Sequence, residues 1–182
     1  SSQNELLKAN LDKWYKKDNN ANLKTFLLFI NGEASISLRI VDWFATNYAK
    51  EKFVSYTVTR GTKEPYRFNV YIDYKLKLKA YSKKRFDPFC RRGRTSIPFE
   101  NGKHIQTTIG QLNFFKWAIE NNVIKYIEDN HKIIKDDMDE RSSNSRKIPS
   151  TVNNTRKKRE ELSVSAAKSV KKEVVDIVVT FD

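Results

Sequence analysis

The residues best suited to chemistry lie together in the segment AYSKKRFDPFCRRGR, residues 80–94. Arginine forks match phosphate oxygens, and aromatic faces can stack on unpaired bases. Pro88 restricts the backbone of the FDPF turn, so the cations on its two sides can be held at a fixed separation. The segment therefore predicts a phosphate-binding surface formed by Lys83, Lys84, Arg85, Arg91, Arg92 and Arg94. The alternative is that Phe86 and Phe89 fill the core while the cations form a solvated rim, and the two interpretations are compatible.

A second candidate is the lysine row Lys75, Lys77 and Lys79, which alternates with apolar residues from 68 to 80. Alternation predicts a strand, and lysines on one strand face lie about 7 Å apart, near the phosphate spacing along a nucleic-acid strand. Lysines also protect edge strands against aggregation, which is the non-functional explanation of the row. Tyr74 and Leu78 fit a helical period as well, so residues 74–84 are open between strand and helix.

The sequence also permits an enzyme interpretation. Asp73 and Lys75 have the D-x-K spacing of one class of metal-dependent nucleases, in which carboxylates hold Mg²⁺ near the scissile phosphate. That class needs a second carboxylate, which Glu51 or Glu64 would have to supply without the usual local sequence. A thiol nucleophile at Cys90 would have only the distant His104 as its base. We therefore expect no catalytic residues and keep the nuclease as the weakest alternative.

Composition excludes several other classes. The chain has 182 residues and a net charge of +13, with one cysteine and two widely separated histidines, so no disulfide framework, metal site or cofactor is predicted. The five glycines form no phosphate-binding loop motif. Without an apolar run of about 18 residues or a signal peptide, we expect an intracellular protein that does not bind a membrane.

The positive charge is concentrated rather than uniform. Residues 73–104 contain ten cations and three anions, whereas residues 105–140 contain four cations and seven anions. A localised excess of this kind is typical of a surface that meets phosphates. The acidic stretch that follows is predicted to form a pair of helices, and because its net charge is −3 it is not expected to read DNA.

The pattern predicts an α+β fold. We expect helices at 4–17 and 36–51, a break at 18–22, and an apolar run at 23–30 that is helix or buried strand. A β-hairpin with a long basic second strand follows, then a loop over 85–104. A C-terminal αα-hairpin, capped by Thr107 or Thr108, is expected to run to about residue 139.

This organisation predicts one globular domain, residues 1–140, and a flexible basic tail, residues 141–182, that is largely disordered. The tail contains the basic patch RKKRE (156–160) and ends in the apolar, β-prone string EVVDIVVTFD (173–182). Such a string can add as a strand to a partner protein or pair with the chain's own hairpin.

The strings SLRIVDWFATNYAKE (37–51), FNVYIDYKLKLKAYSKKRFDPFCRR (68–92) and TTIGQLNFFKWAIENNVIKYI (107–127) resemble an uncharacterised protein family of giant double-stranded DNA viruses, similar to those of the mimivirus group. The resemblance covers about residues 36–140. It implies a viral context, in a virion or a viral factory, and brings no activity or site residues with it.

These observations together predict a non-catalytic protein that binds DNA or RNA, with a role in genome packaging or viral gene expression. The expected locations are the host cytoplasm or viral factory, the virion, or the nucleus. A structural protein of the particle, whose basic face meets acidic protein, is the alternative. A protein partner is expected through residues 173–182.

Overall fold

The computed structural model describes residues 2–147, which form an α+β fold, as predicted. The helices are α1 Ser2–Ile30, α2 Leu38–Trp43, α3 Ala49–Glu51, α4 Val70–Tyr81, α5 Ile109–Glu120, α6 Val123–Asp129 and α7 His131–Lys147. The strands are β1 Ser55–Val58, β2 Tyr66–Asn69, β3 Arg94–Phe99 and β4 Lys103–Thr108. A π-helical turn, Phe44–Tyr48, joins α2 to α3, and a short 3₁₀ turn, Glu100–Gly102, joins β3 to β4. The strands form two antiparallel pairs, β1–β2 and β3–β4.

The predicted break after the first helical segment is confirmed. Helix α1 loses helical backbone angles at Lys17–Asn20, where Asp18, Asn19 and Asn20 have φ of 53–62°. Asp and Asn tolerate this left-handed region better than most side chains. The two halves of α1 pack on each other, because the buried rings of Tyr15 and Phe26 lie 5.5 Å apart. The apolar run at 23–30 is thus helical.

Helix α5 forms the centre of the core. Its Leu112, Phe114 and Phe115 are fully buried. Phe26 and Phe29 of α1 pack their rings 5.3 and 5.2 Å from that of Phe115. The buried Tyr15 hydroxyl donates to the Leu112 carbonyl at 2.6 Å, so α1 is fixed to α5 by a polar contact as well as by packing.

The predicted long basic strand is wrong. The second strand ends at Asn69, and residues 70–81 form α4, the helical alternative that the sequence left open. The Asn69 side chain caps the helix by accepting from the Ile72 backbone N–H at 3.0 Å. Apolar residues spaced four apart fit both the strand period of two residues and the helix period of 3.6 residues, and leucine and lysine favour a helix. The alternation between 70 and 80 therefore did not specify a strand.

The predicted loop over 85–104 is also wrong in its second half. Residues 94–108 form the β3–β4 hairpin, in which Pro98 lies opposite His104. A two-stranded sheet has only edge strands, where the missing N–H of proline is tolerated. The hairpin turns at Asn101 and Gly102, both in the left-handed region.

The C-terminal helices begin where predicted but extend beyond the predicted end at about residue 139. The Thr108 hydroxyl accepts from the Gln111 backbone N–H at 3.2 Å and caps α5, as predicted. Asn130 divides the second predicted helix into α6 and α7, and α7 continues beyond residue 140 to Lys147. The first residues of the predicted tail are therefore helical, and Arg141 among them forms ion pairs with Glu51 and Asp137. RKKRE and EVVDIVVTFD lie outside the described residues.

Within residues 2–147, no helix is both long enough and apolar enough to cross a membrane.

Candidate nucleic-acid interface

Four of the nine predicted cations, Lys84, Arg85, Arg92 and Arg94, line one cleft of about 640 Å³. We call it the basic cleft. The first helical segment of α1 completes its lining with Asn4, Glu5, Lys8, Ala9 and Asp12. Two carboxylates, Glu5 and Asp12, are among the lining residues, and Asp12 is already paired with Lys8. The cleft therefore carries an excess of positive charge, which favours an anionic ligand.

The segment that carries most of these cations, residues 82–93, is here called the basic loop. Its backbone is bonded to α5 at several points. The Gln111 amide donates to the Pro88 carbonyl and the Asn113 amide donates to the Arg85 carbonyl, both at 2.9 Å. The Thr108 hydroxyl donates to the Cys90 carbonyl at 3.1 Å. These bonds fix the backbone of the basic loop, whose cations Lys83, Lys84, Arg85, Arg91 and Arg92 are exposed.

Phe86 anchors the basic loop from its centre. Its side chain is 1% exposed, whereas Phe89 is half-buried. The Phe86 ring lies against four other aromatic rings, those of Tyr74, Tyr81, Phe114 and Trp117. Phe86 thus fills the core, as the second interpretation of the FDPF segment expects, whereas Phe89 does so only in part. The neighbouring cations are exposed, and phosphate binding by them stays a prediction.

The remaining five predicted cations are not brought into the basic cleft. Lys83 and Arg91 are exposed on the basic loop but do not line the cleft. Lys75 and Lys79 share one side of α4 and line a separate groove. Lys77 lies on another side of α4, beside Trp117 and Glu120. Helical geometry separates Lys77 from Lys75 and Lys79, because residues two apart on a helix point about 200° apart.

The D-x-K spacing does not correspond to a strand-borne metal site. Asp73 lies in α4, where its Oδ2 accepts the Trp117 indole N–H at 2.6 Å. Glu51, a candidate second carboxylate, forms an ion pair with Arg141. Among residues 2–147, no group of three or more His, Cys, Asp or Glu side chains is placed to hold a metal ion. Cys90 is buried, with its Sγ 3.4 Å from the carbonyl oxygens of Lys84 and Arg92.

Sequence reasoning identified Thr107 and Thr108 only as candidate helix caps, and it missed Gln111, Asn113 and the contacts by which these polar residues hold the basic loop. Thr107, Thr108, Gln111 and Asn113 are all buried. The Thr107 hydroxyl donates to the Gln111 side-chain oxygen at 3.0 Å, which orients the Gln111 amide toward Pro88. The available signal was the occurrence of two carboxamides in a helix that is otherwise apolar on most sides, since buried polar groups need partners.

The half-buried carboxylate of Asp42, beside the basic loop, makes the free energy of unfolding depend on pH. Burial raises the pKa of Asp42, on α2, to about 6; nearby Asp87 adds to this and Lys83 opposes it. The folded pKa lies above the unfolded value of about 3.9. Ionisation of Asp42 therefore opposes folding. The free energy of unfolding is highest while Asp42 is protonated, and it decreases as the pH rises from about 4 through 6.

We expect Asp42→Asn to raise the free energy of unfolding at pH 7.5 by about 1 kcal/mol, because the variant no longer has to place an ionised carboxylate at this half-buried position. The variant should also flatten the decline in stability between pH 4.5 and about 6.5. Urea unfolding at several pH values measures both effects. Asp136→Asn, at an exposed carboxylate of α7, is the control and should keep the wild-type slope. An unchanged slope in Asp42→Asn would contradict the prediction.

Comparison with known proteins gives a family and a viral relative. The model of a family of unknown function, DUF7197, matches residues 1–180. The uncharacterized protein L507 of Acanthamoeba polyphaga mimivirus is 40% identical over 157 residues, which cover 84% of this chain and 57% of that protein. The chain thus spans a little over half the length of this relative. No solved structure shows significant similarity. The predicted resemblance to a mimivirus-group family is confirmed, and it extends well beyond residues 36–140.

Proposed function

We propose that this chain, which belongs to the DUF7197 family of unknown function, binds nucleic acid through its basic cleft without catalysing a reaction on it. The observation that supports this is the convergence of Lys84, Arg85, Arg92 and Arg94 from both ends of the basic loop and the start of β3. The mimivirus relative is consistent with a role in genome packaging or viral gene expression in the infected cell.

The arrangement favours contacts to phosphates over contacts to bases. Apart from Lys8, which is paired with Asp12, the lining cations project from a loop and a strand end rather than from a helix that could enter the major groove. Residues 105–140, which include α5 and α6, carry more anions than cations. Phosphate contacts position a protein on nucleic acid without reading its sequence. We therefore expect weak sequence preference and strong dependence on salt.

The double variant Arg92→Gln/Arg94→Gln should bind duplex DNA about tenfold more weakly at 0.1 M salt, because each arginine lost removes a phosphate contact. The slope of log K against log [salt] should become shallower by about 0.9 for each contact removed. Fluorescence anisotropy with labelled single- and double-stranded DNA and RNA, over a series of salt concentrations, measures both quantities and identifies the preferred nucleic acid.

The matched control is Lys125→Gln/Lys132→Gln, which removes the same charge from exposed positions of α6 and α7. It should reduce affinity by less than twofold, since long-range charge is screened beyond about 10 Å at 0.1 M salt. The proposal fails if the folded protein binds no nucleic acid at low salt, or if the two double variants weaken binding equally. Binding to polyglutamate but to no nucleic acid would favour the structural alternative instead.

A further inference from the structure

The outer side of α4 exposes an apolar pair that no described residue covers. Ile72 and Leu76 lie one turn apart and are each 58% exposed. They line a groove of about 490 Å³ together with Tyr71, Leu78, Lys75 and Lys79. Two neighbouring aliphatic side chains this exposed on one helix suggest a binding surface rather than the scattered apolar residues of an ordinary protein surface.

A further exposed apolar side chain, that of Phe53, belongs to a segment that packs on the N-terminal end of α4. Phe53 is 82% exposed, and its φ of 50° lies in the left-handed region, which is unfavourable for an aromatic residue. Residues on both sides of it contact the first turn of α4. The Lys50 ammonium lies 5.6 Å from the centre of the Tyr71 ring, and the Val54 carbonyl accepts from the Val70 N–H at 3.2 Å. We call Phe53, Tyr71, Ile72, Lys75, Leu76 and Lys79 the α4 surface.

The charge around the α4 surface defines what can cover it. Lys50, Lys52, Lys75 and Lys79 are all exposed there. A second copy of the same surface would place these ammonium groups opposite one another, which disfavours self-association. A suitable occupant is apolar enough to cover Ile72 and Leu76 and acidic enough to pair with the lysines.

The chain contains a segment with this composition at its end. Residues 173–182, EVVDIVVTFD, have six apolar side chains, three carboxylates and no cation. The DUF7197 match extends to residue 180, so most of this segment belongs to the sequence unit that the family shares. We propose that residues 173–182 bind the α4 surface of their own chain.

The path of the chain is compatible with this contact. Arg141 of α7 forms an ion pair with Glu51, which directly follows the Lys50 that contacts Tyr71. Lys147 comes six residues after Arg141, about 9 Å further along the helix. The 25 residues between Lys147 and Glu173 span up to about 80 Å when extended, enough to reach any side of a domain of this size. A tethered segment also binds at an effective concentration in the millimolar range.

Binding of the segment to the α4 surface would leave the basic cleft open. Lys75 and Lys79 belong to the predicted nucleic-acid-binding set but do not line that cleft. This inference is therefore independent of the proposed function, and either can fail without the other.

The test uses the full chain with the photoreactive amino acid p-benzoylphenylalanine in place of Ile177. After irradiation, mass spectrometry of the digested protein should find crosslinks to peptides from α4 or to the peptide that contains Phe53. A mixture of ¹⁴N- and ¹⁵N-labelled chains distinguishes crosslinks within one chain from crosslinks between chains. Adding the substitutions Ile72→Ser and Leu76→Ser should lower the crosslink yield at least fivefold.

The matched control is Ile133→Ser, which removes an aliphatic side chain that is 63% exposed on α7. It should leave the yield unchanged, and circular dichroism should show that all variants are folded, since truncation of exposed side chains costs little stability. Crosslinks to other surfaces, crosslinks mainly between chains, or a yield that Ile72→Ser/Leu76→Ser leaves unchanged would each overturn the proposal.

Discussion

Replacing Phe86 with alanine should lower the free energy of unfolding by about 3–5 kcal/mol. The Phe86 ring is 1% exposed, with ring centroids of Phe114 and Trp117 at 5.4 and 5.6 Å and of Tyr74 and Tyr81 at 5.8 and 6.2 Å. Truncation loses the transfer free energy of a buried aromatic ring, leaves a cavity, and removes several ring–ring contacts worth about 0.5–1.5 kcal/mol each. These rings come from α4 and α5, so no single side chain can move to fill the space.

Urea unfolding of the wild type and of Phe86→Ala measures this loss. The control is Leu6→Ala, which truncates an apolar side chain that is 64% exposed on α1 and should change stability by less than about 0.5 kcal/mol. Phe86→Ala should also weaken nucleic-acid binding, because Phe86 anchors the loop that carries Lys84, Arg85 and Arg92. A loss below about 1 kcal/mol would show that this aromatic cluster does not hold the basic loop.

Local signals in the sequence were sufficient for several elements. Thr108 caps α5 through a side-chain hydrogen bond, and a cap at Thr107 or Thr108 is recognised from residue type and from the apolar pattern that follows. The run of Asp and Asn at 18–20 marks the interruption of α1 because these residues tolerate positive φ. In each case the physical cause lies within a few residues of the element that it defines.

Where the prediction was wrong, the local signals were ambiguous or the cause lay far along the chain. The residues of α4 satisfy the strand and the helix periods together, and the Asn69 cap and the helix propensity of leucine and lysine are the signals that favour the helix. The β3–β4 hairpin was not predicted, because Pro98 and Gly102 usually indicate a loop. Strand pairing between residues such as Ile97 and Ile105 is a tertiary feature that composition does not encode.

The candidate site, too, has features with local signals in the sequence and features that depend on distant residues. The sequence identified the cations of the basic loop, because charge can be counted without knowing the fold. It could not show that Lys8 and Glu5 meet Arg92 and Arg94 in one cleft, since almost ninety residues separate them along the chain. It also grouped Lys77 with Lys75 and Lys79, a grouping that holds for a strand and fails for a helix. Charge was therefore predictable, whereas its arrangement depended on long-range packing.

Gly110→Ala should be the second most disruptive substitution, because Gly110 is where the basic loop approaches α5 most closely. A Cβ atom at this position would lie 2.7 Å from the Cβ and 2.9 Å from the Sγ of Cys90, and 3.3 Å from the Lys84 carbonyl oxygen. The Cys90 Cβ is attached directly to the backbone, so the loop itself must shift to relieve the overlap. We expect a loss of about 1–3 kcal/mol in the free energy of unfolding, typical of overpacking in a core.

A double-mutant cycle with Cys90→Gly tests this cause directly. Removing the Cys90 side chain eliminates the two closest contacts, so Gly110→Ala should cost at least about 1 kcal/mol less in the Cys90→Gly background than in the wild type. Urea unfolding of the four proteins gives this coupling energy. Gly110→Ala should also weaken nucleic-acid binding under conditions where the variant is folded, because the displaced loop carries Lys84 and Arg92. Equal costs of Gly110→Ala in the two backgrounds would show that close packing against Cys90 does not position the basic loop.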